Sequence, residues 1–269
     1  MGLEKTLKYN DQGTVLHPYD ENGKFGYVDE NNHIVIPCKW ADAGEFSEGL
    51  APVMNEEGLW GYINTEGNLT IPCIYSFVSG FSNGLALVSE YQDDDKIVDN
   101  EAYIDKSGVL IGYTYYYNYP EIVTMYNSLL LARQKKYKEA IDMILPLAEV
   151  IKSDSLPRQR LIMYYGLNNQ IDKYIEWCER TFDMFDSPCK ESWPLLWLGD
   201  LYREGEGVEI DLLKSFHYYN QAREEVGDLY SVEKMEDLLN EHPELRDYSE
   251  VKDALHSYEV YFDDGEEDF

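Results

Sequence analysis

Basic side chains are scarce in this sequence: 22 Lys and Arg stand against 52 Asp and Glu, leaving a formal net charge of −30, and the first arginine is Arg133. A protein that holds nucleic acid neutralises phosphates with Lys and Arg, so the balance argues against nucleic acid as a partner. It argues against an anionic membrane surface for the same reason. Long apolar runs are missing too, and none approaches the roughly 18 residues of a spanning helix. Met1 to Lys8 has no apolar stretch of the signal-peptide kind, so a cytoplasmic protein is expected. Cysteine is sparse: Cys38, Cys73, Cys178 and Cys189 show no C-x-x-C spacing and no histidine at zinc-finger distance. Free structural thiols are the expectation in a reducing compartment.

Signatures of chemistry are equally thin. The five histidines, His17, His33, His217, His242 and His256, never pair at i, i+4, and no Gly-x-Ser-x-Gly elbow occurs. Gly205-Glu206-Gly207 has the look of a phosphate loop, but no Lys-Ser/Thr follows and its flanks are acidic. Asp93, Asp94, Asp95, Asp99 and Glu101 form a dense acidic stretch without EF-hand spacing, which reads as a solvated loop. No catalytic, cofactor-binding or metal-ligating residue is therefore assigned, and a non-enzymatic protein without cofactors is expected.

What the chain has in quantity is acid and tyrosine, 24 Tyr in all, together with an internal repeat. Gly26-Tyr27-Val28-Asp29 recurs as Gly61-Tyr62-Ile63-Asn64, an offset of 35 residues. The same offset carries Ile36-Pro37-Cys38 onto Ile71-Pro72-Cys73, Phe46 onto Phe81, and Gly49-Leu50-Ala51 onto Gly84-Leu85-Ala86. A degenerate third copy opens at Ala102-Tyr103-Ile104-Asp105. Aromatic and β-branched runs followed by Asn/Asp/Gly turns predict about three short strands per copy, with the Ile-Pro marking a strand end or edge. Cys38 and Cys73, at equivalent positions, are expected to fill inward-facing slots. One copy cannot bury its own face, so stacked copies are required.

These residues resemble the WG-repeat family, whose signature is a Trp/Phe-Gly-Tyr-Ile strand, an acidic or Asn turn, an Ile-Pro and a Phe-x-x-Gly-Leu-Ala close. The resemblance covers about residues 14–112, with Phe25 in place of the signature Trp. It implies a β-rich interaction module without known catalytic residues.

From Pro120 onward glycine and proline thin out and apolar residues recur at helical spacing. Helices are predicted in pairs: Ile122 to Lys135 with Lys138 to Ile151, Pro157 to Leu167 with Ile171 to Met184, and Ser192 to Arg203 with Leu212 to Glu225. In the third pair Gly199, Gly205, Gly207, Val208 and Ala222 fall where a SEL-like repeat, a relative of the tetratricopeptide repeat, has small or turn residues. The resemblance implies close helix packing at Gly199 and a Gly-x-Gly-Val loop.

The reading is α+β in separate modules: an antiparallel β-repeat domain over 1–112, a linker over 113–122, an α-helical solenoid of tetratricopeptide/SEL-like repeats over 123–262, and an acidic tail over 263–269. The expected function is protein–protein interaction, as an adaptor or scaffold whose partner is another protein with, in one version, a basic surface. The alternative is an acidic inhibitor or immunity protein that masks the basic active site of a toxin or enzyme. A third class, an enzyme with a site near Tyr113 to Pro120, stays open on fold grounds alone. First helices of such pairs usually line the concave face. Tyr126, Arg133, Tyr164, Tyr165, Asp200 and Arg203 are accordingly the candidate partner-binding residues.

Overall fold

The computed structural model describes residues 15–90, 101–184 and 190–263. Cys189, the four aspartates Asp93, Asp94, Asp95 and Asp99, and residues 264–269 of the acidic tail lie outside the described residues. The chain divides into two compact units, residues 1–134 and 135–269.

The first unit is an antiparallel meander. Strands β1 (His17–Glu21), β2 (Lys24–Val28) and β3 (Ile34–Trp40) form a three-stranded sheet. A seven-stranded sheet follows in chain order: β4 (Asp42–Ala43), β5 (Leu50–Met54), β6 (Trp60–Asn64), β7 (Leu69–Val78), β8 (Leu85–Glu90), β9 (Glu101–Asp105) and β10 (Leu110–Tyr113). The repeat is visible in the pairing. Tyr27 faces Ile36 and Phe25 faces Trp40; one copy later Tyr62 faces Ile71 and Trp60 faces Tyr75.

Between those pairs the register slips, and the bulge contains the proline that follows the isoleucine. The proline does not end its strand, since β3 runs on to Trp40 and β7 to Val78; the other alternative, a sheet edge, holds for Pro37 in β3 but not for Pro72 in the interior strand β7. A bulge takes the residue out of the ladder, so the missing proline N–H costs no hydrogen bond. The bulge also explains the glycine of the first two copies. A β-carbon on Gly26 would stand 2.4 Å from the Ile36 carbonyl oxygen, and one on Gly61 2.5 Å from that of Ile71. Cys38 and Cys73 are half-buried, and the expected inward slot holds in part: Cys73 packs against the core of Leu16, Ile36 and Ile63. Each thiol lies against a carbonyl of the preceding segment, Tyr19 at 3.7 Å and Val53 at 3.8 Å.

A buried tyrosine is the centre of each of the first two copies. Tyr27 and Tyr62 are fully buried, with rings packed on Phe46 and Phe81 at 4.8 and 4.9 Å between centroids. Their hydroxyls donate to the Gly44 and Ser79 carbonyls at 2.8 and 2.6 Å. Burial, first of all, pushes both phenols above their ordinary range. Turn chemistry repeats as well: Asp29, Asn64 and Asp105 each accept backbone N–H groups two and four residues on, closing the same Asx turn in all three copies. Copies lock together where Glu48 accepts the amides of Asn83 and Gly84 at 2.7 and 2.9 Å and meets Lys106 at 3.3 Å.

Helix α1 (Tyr119–Arg133) belongs to this first unit. A capping box starts it three residues before the expected position: Asn118 accepts from the Glu121 amide at 3.1 Å, and the Glu121 carboxylate accepts from the Asn118 amide at 2.9 Å. Ile122 and Met125, both fully buried, lie over Gly112 of β10, whose β-carbon would come within 2.8 Å of each. The sequence paired this helix with the next; the bare surface of Gly112 gives its apolar face a different neighbour.

The second unit consists of α2 (Tyr137–Val150), α3 (Leu156–Leu167), α4 (Ile171–Asp183), α5 (Trp193–Glu204), α6 (Leu212–Val226), α7 (Leu229–Glu241), a 3-10 turn at Pro243–Asp247, and α8 (Ser249–Asp263). From α2 to α7 each helix packs on its successor. Arg158, fully buried on α3, donates to the carbonyls of Ile151 and Asp154, which fixes the turn between α2 and α3. The α5–α6 loop follows its sequence signals: Gly205 caps α5 at φ 73°, Gly207 has φ 82°, and Asp211 caps α6 by accepting the Lys214 amide at 2.9 Å. Phe216, Tyr219, Met235, Leu238 and Val251 form the core at the carboxy-terminal end. Among the described residues no helix is long and apolar enough to cross a membrane.

Candidate functional site

The six residues singled out from sequence fall into three situations. Tyr126 and Arg133 are held within the first unit. Tyr126 lies over Gly84, whose β-carbon would stand 2.2 Å from its hydroxyl oxygen. Arg133 meets the Asp105 carboxylate at 2.7 Å and donates to the Ser107 hydroxyl at 3.2 Å. Tyr164 is 0% exposed and Tyr165 6%, so both are core and offer no surface to a partner. Their place on α3 puts them under the helices packed on either side, whereas Met163 and Leu167, one step round the same helix, are exposed at 42% and 54%.

Asp200 and Arg203 are half-buried members of a network joining α5, α6 and α7. Asp200 accepts from the Tyr219 hydroxyl at 2.6 Å and from Lys234 at 2.8 Å. Arg203 pairs with Glu241 at 2.7 Å. Burial, then the bond to Asp200, raises the Tyr219 phenol above its ordinary range. Both residues are thus tied to neighbouring helices of the same unit.

Beside that network lies an open cleft of about 590 Å³. Residues 197, 200, 201 and 204 of α5 share one face by helical spacing, and that face forms one wall through Trp197, Asp200, Leu201 and Glu204. Met163 and Leu167 of α3 face it, with Ile171 and Tyr174 from α4. The Gly205–Gly207 turn brings in Glu206. The aromatic rings are ordered: Tyr174 and Trp197 lie nearly parallel with centroids 6.5 Å apart, and Trp193 meets Trp197 edge-on at 4.7 Å. Gly166 makes room for the Tyr174 ring, which would sit 3.3 Å from a β-carbon there.

The electrostatics of the cleft are one-sided. Asp200, Glu204 and Glu206 line it, and no Lys, Arg or His does so among the described residues. Burial raises the Tyr174 phenol most, and the charges of Asp200, Glu206 and Glu204 add to the rise. Apolar and aromatic side chains beside three carboxylates are a combination that suits binding. Among the described residues no group of three His, Cys, Asp or Glu is placed to hold a metal ion. Around Tyr113 to Pro120, the side chains of Tyr115, Tyr116 and Tyr119 are exposed.

Sequence reading found Asp200 in this cleft and missed Met163, Leu167, Tyr174, Glu204 and Glu206. The available signal was the mixed aromatic and acidic stripe at i, i+3, i+4 and i+7 on α5, which an apolar core face would not carry.

The family of the WG containing repeat matches the chain at residues 25–58 and 60–91. The amino-terminal region thus carries WG repeats, and the region after it is helical. No curated protein is significantly similar to the chain.

Proposed function

We propose that this chain is a non-enzymatic, cytoplasmic adaptor that binds another protein, its helical unit being a SEL-like solenoid that serves as the principal recognition surface. The observation that carries the reading is the cleft on α3 and α5, which sets apolar and aromatic side chains beside acidic ones. The first helices of two successive pairs face into it, which is the arrangement that gives helical-repeat arrays their concave binding surfaces. Resemblance at Gly199, Gly205, Gly207 and Ala222 supports the SEL-like assignment. The WG repeats supply a second β-rich surface.

Purification of the full chain from its native cell, with mass spectrometry of what coelutes, tests this. A defined partner that rebinds the purified chain is expected; turnover of a small molecule without any stable protein partner would sink the proposal.

The net charge of −30 favours one more specific version, an inhibitor or immunity protein that covers a basic active site. Its mark is salt dependence. Association with such a target should weaken steeply as ionic strength rises through the physiological range, where the screening length is about 8 Å. Affinity indifferent to salt would leave the adaptor version alone.

A further inference from the structure

Among the described residues, two of the three carboxylates in the α3–α5 cleft have no cation paired with them. Asp200 is paired with Lys234, but Glu204 and Glu206 are exposed and make no ion pair among the described residues. A folded chain ordinarily uses such charges in solvent. Here they line the same cleft as Met163, Leu167, Tyr174 and Trp197, the last two with their rings nearly parallel. Carboxylates beside aromatic and apolar side chains complement a long side chain that is apolar along its stem and cationic and planar at its tip.

We propose that the cleft takes an arginine side chain from a partner polypeptide, its guanidinium held by Glu204 and Glu206 and its stem lying along Met163, Leu167 and Trp197. The inference rests on the reading of this chain as a protein-binding protein and names the chemistry its partner presents. Arginine fits better than lysine for physical reasons. Its planar fork donates to two carboxylate groups at once and stacks on an aromatic face, and it is more weakly hydrated than an ammonium. The exposed apolar surface of Met163 and Leu167 favours an apolar neighbour beside the arginine in the bound segment.

The test uses the full chain and a fluorescein-labelled, blocked peptide, Gly-Leu-Arg-Leu-Gly-Gly, with analogues in which citrulline or lysine replaces the arginine. Binding is read by fluorescence anisotropy at about 150 mM salt, where long-range attraction to a −30 protein is largely screened. The arginine peptide is expected to bind, and the citrulline and lysine analogues to bind about tenfold more weakly or worse. The double variant Glu204→Gln/Glu206→Gln should also lose about tenfold, because each carboxylate bonds the guanidinium directly. A control pair, Glu233→Gln/Glu236→Gln, removes the same charge from exposed positions on α7 and should leave affinity within about twofold. All four positions are exposed, so melting temperatures should match the parent.

Equal loss from both pairs would show bulk electrostatics and overturn the site. So would an unaffected Glu204→Gln/Glu206→Gln protein, a lysine peptide that binds as tightly, or no binding of the arginine peptide at millimolar concentration. A native partner that still binds the Glu204→Gln/Glu206→Gln protein at full strength would end this inference while leaving the protein-binding reading standing.

Discussion

The ring of Tyr219 fills the space that a β-carbon on Gly199 would need: the new atom would stand 2.2 Å from the ring's Cε1 and 2.6 Å from its Cδ1. Gly199 is buried in the middle of α5, where glycine costs about 1 kcal/mol relative to alanine by propensity alone. Close packing of α6 and the Tyr219–Asp200 hydrogen bond offset that cost.

Gly199→Ala should therefore destabilise the protein despite its better helix propensity. The ring is fixed at both ends, by the core around Met235 and Leu238 and by its bond to Asp200, so it cannot swing clear. A loss of about 3 kcal/mol is expected from the overpacking, read by urea denaturation of the full chain. An unchanged or raised midpoint would mean that α5 and α6 do not approach this closely.

In the WG repeats, Gly61→Ala should be far more damaging than Gly23→Ala. At Gly61 the obstacles are backbone atoms, the Ile71 carbonyl oxygen at 2.5 Å and the Cys73 nitrogen at 2.7 Å, and neither can yield without breaking the bulge. Gly23 has open space around it and loses only the ease of a φ of 79°, which costs alanine about 1 kcal/mol. Amide hydrogen exchange should show protection lost across β6 and β7 for Gly61→Ala and retained for Gly23→Ala.

Asp105 should give the first unit a distinct acid sensitivity. Burial works to raise this carboxyl, but the Ser107 hydroxyl, the Val109 and Ser107 amides and Arg133 outweigh it, so it is held below the ordinary carboxylate range. Its folded value lies under its unfolded one, so its stabilisation is complete above about pH 4 and is lost as pH falls through the folded value. Asp105→Asn should be less stable at neutral pH and should lose less on acidification. Parallel melting-temperature curves for the two proteins between about pH 5 and pH 2 would contradict this.

The paired exchange Asp200→Lys with Arg203→Glu, harmless had both residues been free at the surface, should lower stability. Lysine at 200 would face Lys234 and strand the Tyr219 hydroxyl; glutamate at 203 would face Glu241. Both sites retain some solvent, which screens the repulsion, so a loss of roughly 2 kcal/mol is expected. A thermal midpoint equal to that of the parent would show that the network carries little weight.

Local rules made much of this protein legible in its sequence. The 35-residue offset located the WG copies because each needs the same glycine, tyrosine and turn residue, and these act through contacts within a few residues or one strand away. Helix bounds from α2 to α6 fell within a residue or two of their observed ends; part of the signal is local, Pro157 and Pro194 in the first turns of α3 and α5, Asp211 capping α6, and Gly205 and Gly227 closing α5 and α6. The α5–α6 loop was readable for the same reason. Facing was decided only by the tertiary structure. Tyr126 and Arg133 turn to Gly84 and Asp105, residues some thirty to forty positions away, and no spacing within α1 encodes that choice. Tyr164 and Tyr165 have the same composition as a recognition surface and become core because helices cover them, while Met163 and Leu167 on the same helix stay open. The cleft with Glu204 and Glu206 exists because three helices and a turn converge. A helix's own periodicity fixes which residues share a face, but what that face meets depends on surface brought up from elsewhere in the chain.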